Sequence, residues 1–138
     1  MKALINIDYT YDFVADEGRL TCGEPGQLIE DYIVSLTKDF IEREDYVVFA
    51  VDVHDEGDSY HPETRLFPPH NIRGTAGRDL FGNLQNVYNK NKGRENVLWI
   101  DKTRYSAFAG TDLDIKLRER GITELHLVGV CTDICVLH

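Results

Sequence analysis

Four short runs along the chain are almost wholly apolar: residues 3–7, 46–51, 97–100 and 125–130, each about the length of a buried strand. None of them alternates polar with apolar positions, which predicts a sheet covered on both faces. Between the first two runs, Leu28, Ile29, Tyr32, Ile33, Leu36, Phe40 and Ile41 recur at spacings of three and four and predict an amphipathic helix. Before the fourth run, Thr111 fits as a helix cap with Asp114 three residues on. Leu113 and Leu117 give that helix an apolar side, and Gly121 is placed to end it. Strands alternating with helices, joined by right-handed crossovers, predict an α/β fold: an open parallel sheet with helices on both faces. At 138 residues the chain fits a single domain, residues 1–138. Residues 54–78 break the pattern. They hold most of the prolines and three histidines with little periodicity, and a loop of that length in a compact domain is usually functional or disordered.

Charge and cysteine usage narrow the partners. A formal charge of -9, from 24 acidic and 15 basic residues, opposes a phosphate backbone and offers no basic stripe, so nucleic acid is not expected. Three cysteines do not make a disulfide framework and read as reduced thiols, which points to a cytoplasmic protein. No run approaches the roughly 20 apolar residues of a membrane span. The oligomeric state is open, a homo-oligomer included.

The strand ends carry the chemistry. Asp8 follows the first run, Asp52 and His54 the second, Lys102 the third, and Cys131 with Cys135 the fourth. In a parallel sheet these ends share one edge, the edge at which open α/β sheets bind ligands. Cys135 stands where a strand gives way to the first turn of a helix, where backbone N–H groups and a nearby lysine favour a thiolate. Asp8 is placed to take the thiol proton and return it to a leaving amine, with the Lys102 ammonium holding both anions. Read singly, each has a plainer role: a packed thiol, a turn former, a solvated lysine. Cys131 reads as structural, or as half of a weak metal or redox pair with Cys135. Asp52 and His54, with His61, Glu63 and His70 on the loop, form a donor set that suits zinc, iron or manganese.

Taken together and in order, the opening I-D-Y-T-Y-D-F, V-D-V-H, F-P-P-H, G-T-A-G, the D-K ahead of Tyr105, and G-V-C-T-D-I-C-V resemble the nicotinamidase and isochorismatase-like cysteine hydrolases over the whole chain. The resemblance implies a three-layer, Rossmann-like fold, a triad of Asp8, Lys102 and Cys135, and Asp52, His54 and His70 as ligands to a divalent metal, zinc foremost. It gives Glu63 as the fourth ligand, with His61 the alternative. It implies a cis peptide between Val130 and Cys131, an oxyanion hole from the N–H groups of Cys131 and Cys135, and aromatic walls from Phe13, Phe67 and Tyr105 around a flat ring. The implied activity is hydrolysis of nicotinamide to nicotinate and ammonia through a cysteine thioester. Rivals are a related hydrolase acting on another small amide or a vinyl ether, a metal-binding or thiol redox module, and a non-catalytic fragment. Two departures stand out: Thr10 where many relatives have glutamine, and an end at His138 where the family continues, which leads us to expect a C-terminally incomplete domain.

Overall fold

The computed structural model describes residues 1–136, and of residues 132 and 133 the backbone only. Among the described residues, four parallel strands form one sheet: β1 (Lys2–Ile7), β2 (Tyr46–Asp52), β3 (Val97–Lys102) and β4 (Glu124–Gly129), in the order β3-β2-β1-β4. The helical segments are α1 (Tyr11–Val14), α2 (Glu24–Gln27), α3 (Glu30–Glu42), α4 (Asn83–Asn91) and α5 (Leu113–Glu119). This is the α/β architecture expected from the apolar runs.

Side chains on a strand point alternately to the two faces, and the two cores follow that alternation. Leu4, Val47, Phe49 and Val51 face α3 and α4, together with Ile33, Phe40, Ile41, Leu84 and Val87. Ala3, Ile5, Ile7, Val48 and Ala50 face α5, where Leu113 and Leu117 cover them. Burying a side chain such as Ile33 or Phe40 contributes about 1.5–3 kcal/mol, so a helix held by several of them needs little intrinsic propensity.

Several expectations need correction. β4 is not covered on both faces: Leu125 and Leu127 are 44% and 46% exposed, on the face of their register partners Ala3 and Ile5. It lies at the edge of the sheet, and α5 does not reach over it. In α3 the apolar repeat is buried at Ile33, Phe40 and Ile41, but Tyr32 is 65% exposed and Leu28, ahead of the helix, 73%. Thr111 stands one residue before the α5 cap, Asp112, and its hydroxyl accepts the Leu113 N–H at 3.3 Å. Gly121 does end the helix, with φ 64° and its N–H on the Arg118 carbonyl. α4 is a helix the apolar pattern does not announce.

The chemistry sits at the carboxyl ends of the strands. Ladder pairing of β1 with β2 stops at Ile7 opposite Ala50, and the chain turns at Asp8 with φ 54°. Among the described residues four non-glycine positions have positive φ, and three of them, Asp8, Asn71 and Cys131, line this edge. Each such conformation costs on the order of 1–3 kcal/mol, and strain of this kind collects where a site over-determines the backbone.

Candidate active site

Lys102 is the centre of the arrangement. It is the last residue of β3, wholly buried, and an ammonium has three protons to donate. They go to Asp52 Oδ1 at 2.6 Å, the Arg104 carbonyl at 3.2 Å and the Tyr105 carbonyl at 3.1 Å. Asp8 Oδ2 forms a buried ion pair with Nζ at 2.9 Å. The other oxygen, Oδ1, accepts the Asp52 N–H at 2.8 Å. Asp8 therefore has one oxygen fixed by a backbone N–H and the other paired with the buried Lys102 ammonium. Cys135 closes the group. It is buried on the five-residue π turn Thr132–Val136, and an oxygen of Asp8, an oxygen of Asp52 and its Sγ all lie within 4.8 Å of one another.

The electrostatics place the resting proton on sulfur. Burial pushes the Asp8 carboxyl up to about 6, helped by the charge of Asp52 and opposed by Lys102. Burial lowers the Lys102 ammonium, but the charges of Asp8 and Asp52 outweigh it and hold the group protonated. The Cys135 thiol is pushed well up, first by burial and then by Asp8, against the pull of Lys102. The expectation of a thiolate stabilised at rest is thus overturned. Two carboxylates already face one ammonium, and a third anion has no counter-charge. A buried thiol thus stands beside a carboxylate that titrates near neutrality.

A second cluster adjoins the first. Oxygens of Asp52 and Glu63 and nitrogens of His54 and His70 lie within 4.8 Å of one another. His54 Nε2 is 3.7 Å from Asp52 Oδ2, and His70 Nε2 is 3.6 Å from Glu63 Oε1. The His70 Nδ1 is 2.7 Å from the Pro68 carbonyl, which fixes the tautomer with the Nε2 lone pair turned to the cluster. Among the described residues, Asp52 Oδ2, His54 Nε2 and His70 Nε2 are buried without a hydrogen-bond partner, as expected of donors built to hold a cation. Burial would lower His70, but Glu63, the Pro68 carbonyl and Asp52 hold it above its ordinary value. His61 is placed differently: its Nδ1 accepts the Glu63 N–H at 3.1 Å and its Nε2 meets the Thr103 carbonyl. With both nitrogens engaged, His61 caps the short turn Pro62–Arg65 and leaves Glu63 as the fourth donor.

Comparison with known proteins gives the family. The model of the Isochorismatase domain matches residues 2–138. The chain belongs to the isochorismatase family. PncA of Bacillus subtilis, described as an uncharacterized isochorismatase family protein, is 71% identical over 99% of this chain and 75% of its own length. A crystal structure of nicotinamidase PncA from that organism matches with a TM-score of 0.96 at 69% identity, covering 99% of this chain and 75% of that one. The pyrazinamidase/nicotinamidase of Streptococcus mutans matches with a TM-score of 0.98 at 59% identity, covering 100% and 76%. A pyrazinamidase of Pyrococcus horikoshii in complex with zinc matches at 0.82 and 28% identity, covering 98% and 73%.

Within this isochorismatase-family site the remaining expectations divide. No cis peptide occurs among the described residues. The chain turns after β4 by positive φ at Gly129 and Cys131 instead. The Cys131 carbonyl accepts N–H groups from Ile134 and Val136, and its thiol is pushed up to about 12 by burial and then by Asp8. Phe67 lines a cavity of about 220 Å³ with His54, Glu63 and His70. Phe13 is buried behind it, its ring edge-on to His70 at 5.2 Å. Tyr105 is partly buried, and burial followed by the charges of Glu63, Cys135 and Asp52 raises its phenol, which sets it between the two clusters.

Two supporting side chains escape sequence reasoning. Asp12 is buried and accepts the N–H groups of Asn71 at 2.7 Å and Arg19 at 3.2 Å. Asn71, next to His70, also accepts the Thr10 hydroxyl at 3.0 Å, so Thr10, where the resemblance departs, holds the His70 loop. A side chain on Gly77 would strike the Asp12 carboxylate, which explains that glycine. The other side chain is Arg78, whose Nε donates to the Asp52 carbonyl at 2.7 Å. The D-F in the opening motif and the G-T-A-G preceding Arg78 were the available signals, but neither says which backbone group is held.

Proposed function

We propose that the chain is an amidohydrolase that converts nicotinamide to nicotinate and ammonia, with Cys135 as nucleophile, Asp8 as proton carrier and Lys102 as the charge that orders them. The observation that carries this reading is the buried Asp8 carboxylate, with one oxygen anchored on the Asp52 N–H, the other paired with Lys102, and an oxygen within 4.8 Å of the Cys135 sulfur. The names of the Bacillus and Streptococcus relatives support the substrate class.

Asp8 takes the Cys135 proton as sulfur attacks the carboxamide carbon, and the carbonyl oxygen becomes an oxyanion. The N–H groups of Cys131 and Cys135 are the donors we assign to that oxygen. As the C–N bond breaks, protonated Asp8 gives its proton to the leaving nitrogen, and ammonia departs from a thioester. Water then attacks the thioester carbon while Asp8 takes its proton. The C–S bond breaks, Asp8 returns the proton to sulfur, and nicotinic acid leaves, giving its carboxyl proton to water to become nicotinate.

Asp52, His54, Glu63 and His70 would hold a divalent cation, which the zinc complex of the Pyrococcus relative supports. When bound, such an ion would coordinate the pyridine nitrogen and orient the ring. Phe67 and Tyr105 would flank that ring.

The test is ammonia release from nicotinamide by the purified chain and by Cys135→Ala. Turnover should vanish in the variant while its metal content stays at the wild-type level. Undiminished release by Cys135→Ala would remove Cys135 from the reaction.

A further inference from the structure

We infer that Arg78 is the positioning residue of this site: it fixes the backbone of Asp52 and, through that one carboxylate, sets both the triad lysine and the metal-type cluster. The inference rests on the amidase and metal roles proposed for these residues. Once β1 turns away at Asp8, the edge of β2 that β1 had paired is held by side chains. The Asp52 N–H goes to Asp8 Oδ1 at 2.8 Å, and the Asp52 carbonyl accepts Arg78 Nε at 2.7 Å. Both backbone groups of Asp52 on that side are thereby tied, one by a member of the triad and one by Arg78.

The same guanidinium reaches across to β3. Its Nη2 donates to the Asp101 carboxylate and lies 3.4 Å from the Val51 carbonyl, and its plane sits 5.9 Å from the Trp99 ring centroid. Asp101 is itself held by the Trp99 indole N–H at 2.9 Å. Asp101 is the register partner of Val51, and Lys102 that of Asp52. Arg78 therefore fastens the two strand ends that present Lys102 and Asp52 to each other. It lies on the short turn Ala76–Arg78 that returns from the His70 loop, so it also ties that loop to the sheet. A planar fork with several fixed donors can serve a carbonyl on one strand and a carboxylate on the next, whereas the point charge of a lysine cannot serve both in the same geometry.

Asp52 spends one oxygen on Lys102 and turns the other into the cluster, 3.7 Å from His54 Nε2. A shift of its backbone must therefore misplace both. Loss of a group that orients a metal ligand commonly lowers metal affinity by roughly 10–100-fold.

The experiment compares wild type, Arg78→Met and Arg78→Lys as purified full chains. Zinc affinity is measured by chelator competition, folding by circular dichroism, and kcat and KM with nicotinamide. Arg78→Met should lose about 10–100-fold in zinc affinity and fall in kcat as the triad is misplaced, with Arg78→Lys recovering part of each. A folded Arg78→Met with wild-type zinc affinity and kcat overturns the inference, even if its melting temperature drops, because a purely structural staple would behave that way. If Arg78→Met does not fold, Arg78→Lys decides: losses in both readouts support the role, and wild-type values in both overturn it. A wild-type chain that neither binds zinc nor releases ammonia would instead sink the amidase reading itself.

Discussion

Replacing Asp8 by asparagine tests the proton-carrier assignment and its energetic cost together. Asparagine keeps an oxygen for the Asp52 N–H, which Asp8 Oδ1 accepts at 2.8 Å, but it cannot take a proton from Cys135. General acid–base catalysis of this kind contributes about 10²–10⁴-fold, so kcat should fall by that factor while KM changes little. In the wild type, kcat/KM should rise as pH passes upward through about 6 and level off above it, because the Asp8 carboxyl must be ionised to act. That limb should be missing from whatever turnover the variant keeps. Stability should move the other way. Asp8 is raised from 3.8 to about 6, so the folded chain binds its proton more tightly than the unfolded one. Its contribution to stability is present below about 4 and is lost as pH rises through about 6, by about 3 kcal/mol in all. On metal-free protein, urea titrations should therefore find Asp8→Asn more stable than wild type at pH 7, with the gap closing towards pH 4. A variant within tenfold of wild-type kcat, or one that is less stable by the same amount at both pH values, would refute the reasoning.

Removal of the metal with a chelator should raise KM for nicotinamide more than it lowers kcat and leave the far-ultraviolet circular dichroism unchanged, because the proposed ligands hold the ring and the sheet has its own core; unaltered kinetics after verified removal would exclude the site. Glu63→Gln should cost about tenfold or more in zinc affinity, since a charged donor is lost from the cluster. His61→Asn, which can still accept the Glu63 N–H, should stay near wild type. The reverse order by chelator competition would make His61 the fourth ligand.

The parts legible in the sequence are those fixed by period and by strand ends. Continuous apolar runs mark the strands, and a parallel sheet then gathers Asp8, Asp52, Lys102 and Cys135 on one edge whatever the loops do. A donor set at the end of β2 and on the long loop after it was readable from residue types, but those types left His61 and Glu63 both open, and only the His61 contacts with the Glu63 N–H and the Thr103 carbonyl set it apart. What was not readable depends on tertiary surroundings. α4 has few apolar positions, and Leu84 and Val87 hold it only because α3 and the sheet are there to receive them. The apolar run of β4 does not reveal that one of its faces is open. The thiol was expected to be lowered by a helix end and a lysine, but burial and a neighbouring carboxylate dominate, and neither is visible in the spacing of residues. The turn after β4 is made by φ at Gly129 and Cys131, a choice between backbone solutions that the letters G-V-C do not record.

Asp52 is one side chain with two employers. One oxygen steadies the ammonium of the nucleophilic half, and the other faces the donors that would grip the ring-binding ion. An engineer who alters residue 52 to suit a different metal will disturb the nucleophile as well, and one who retunes Lys102 through it will change what the donor cluster can hold. New specificities in this scaffold are therefore better sought at Phe67, which lines the cavity beside His54, Glu63 and His70.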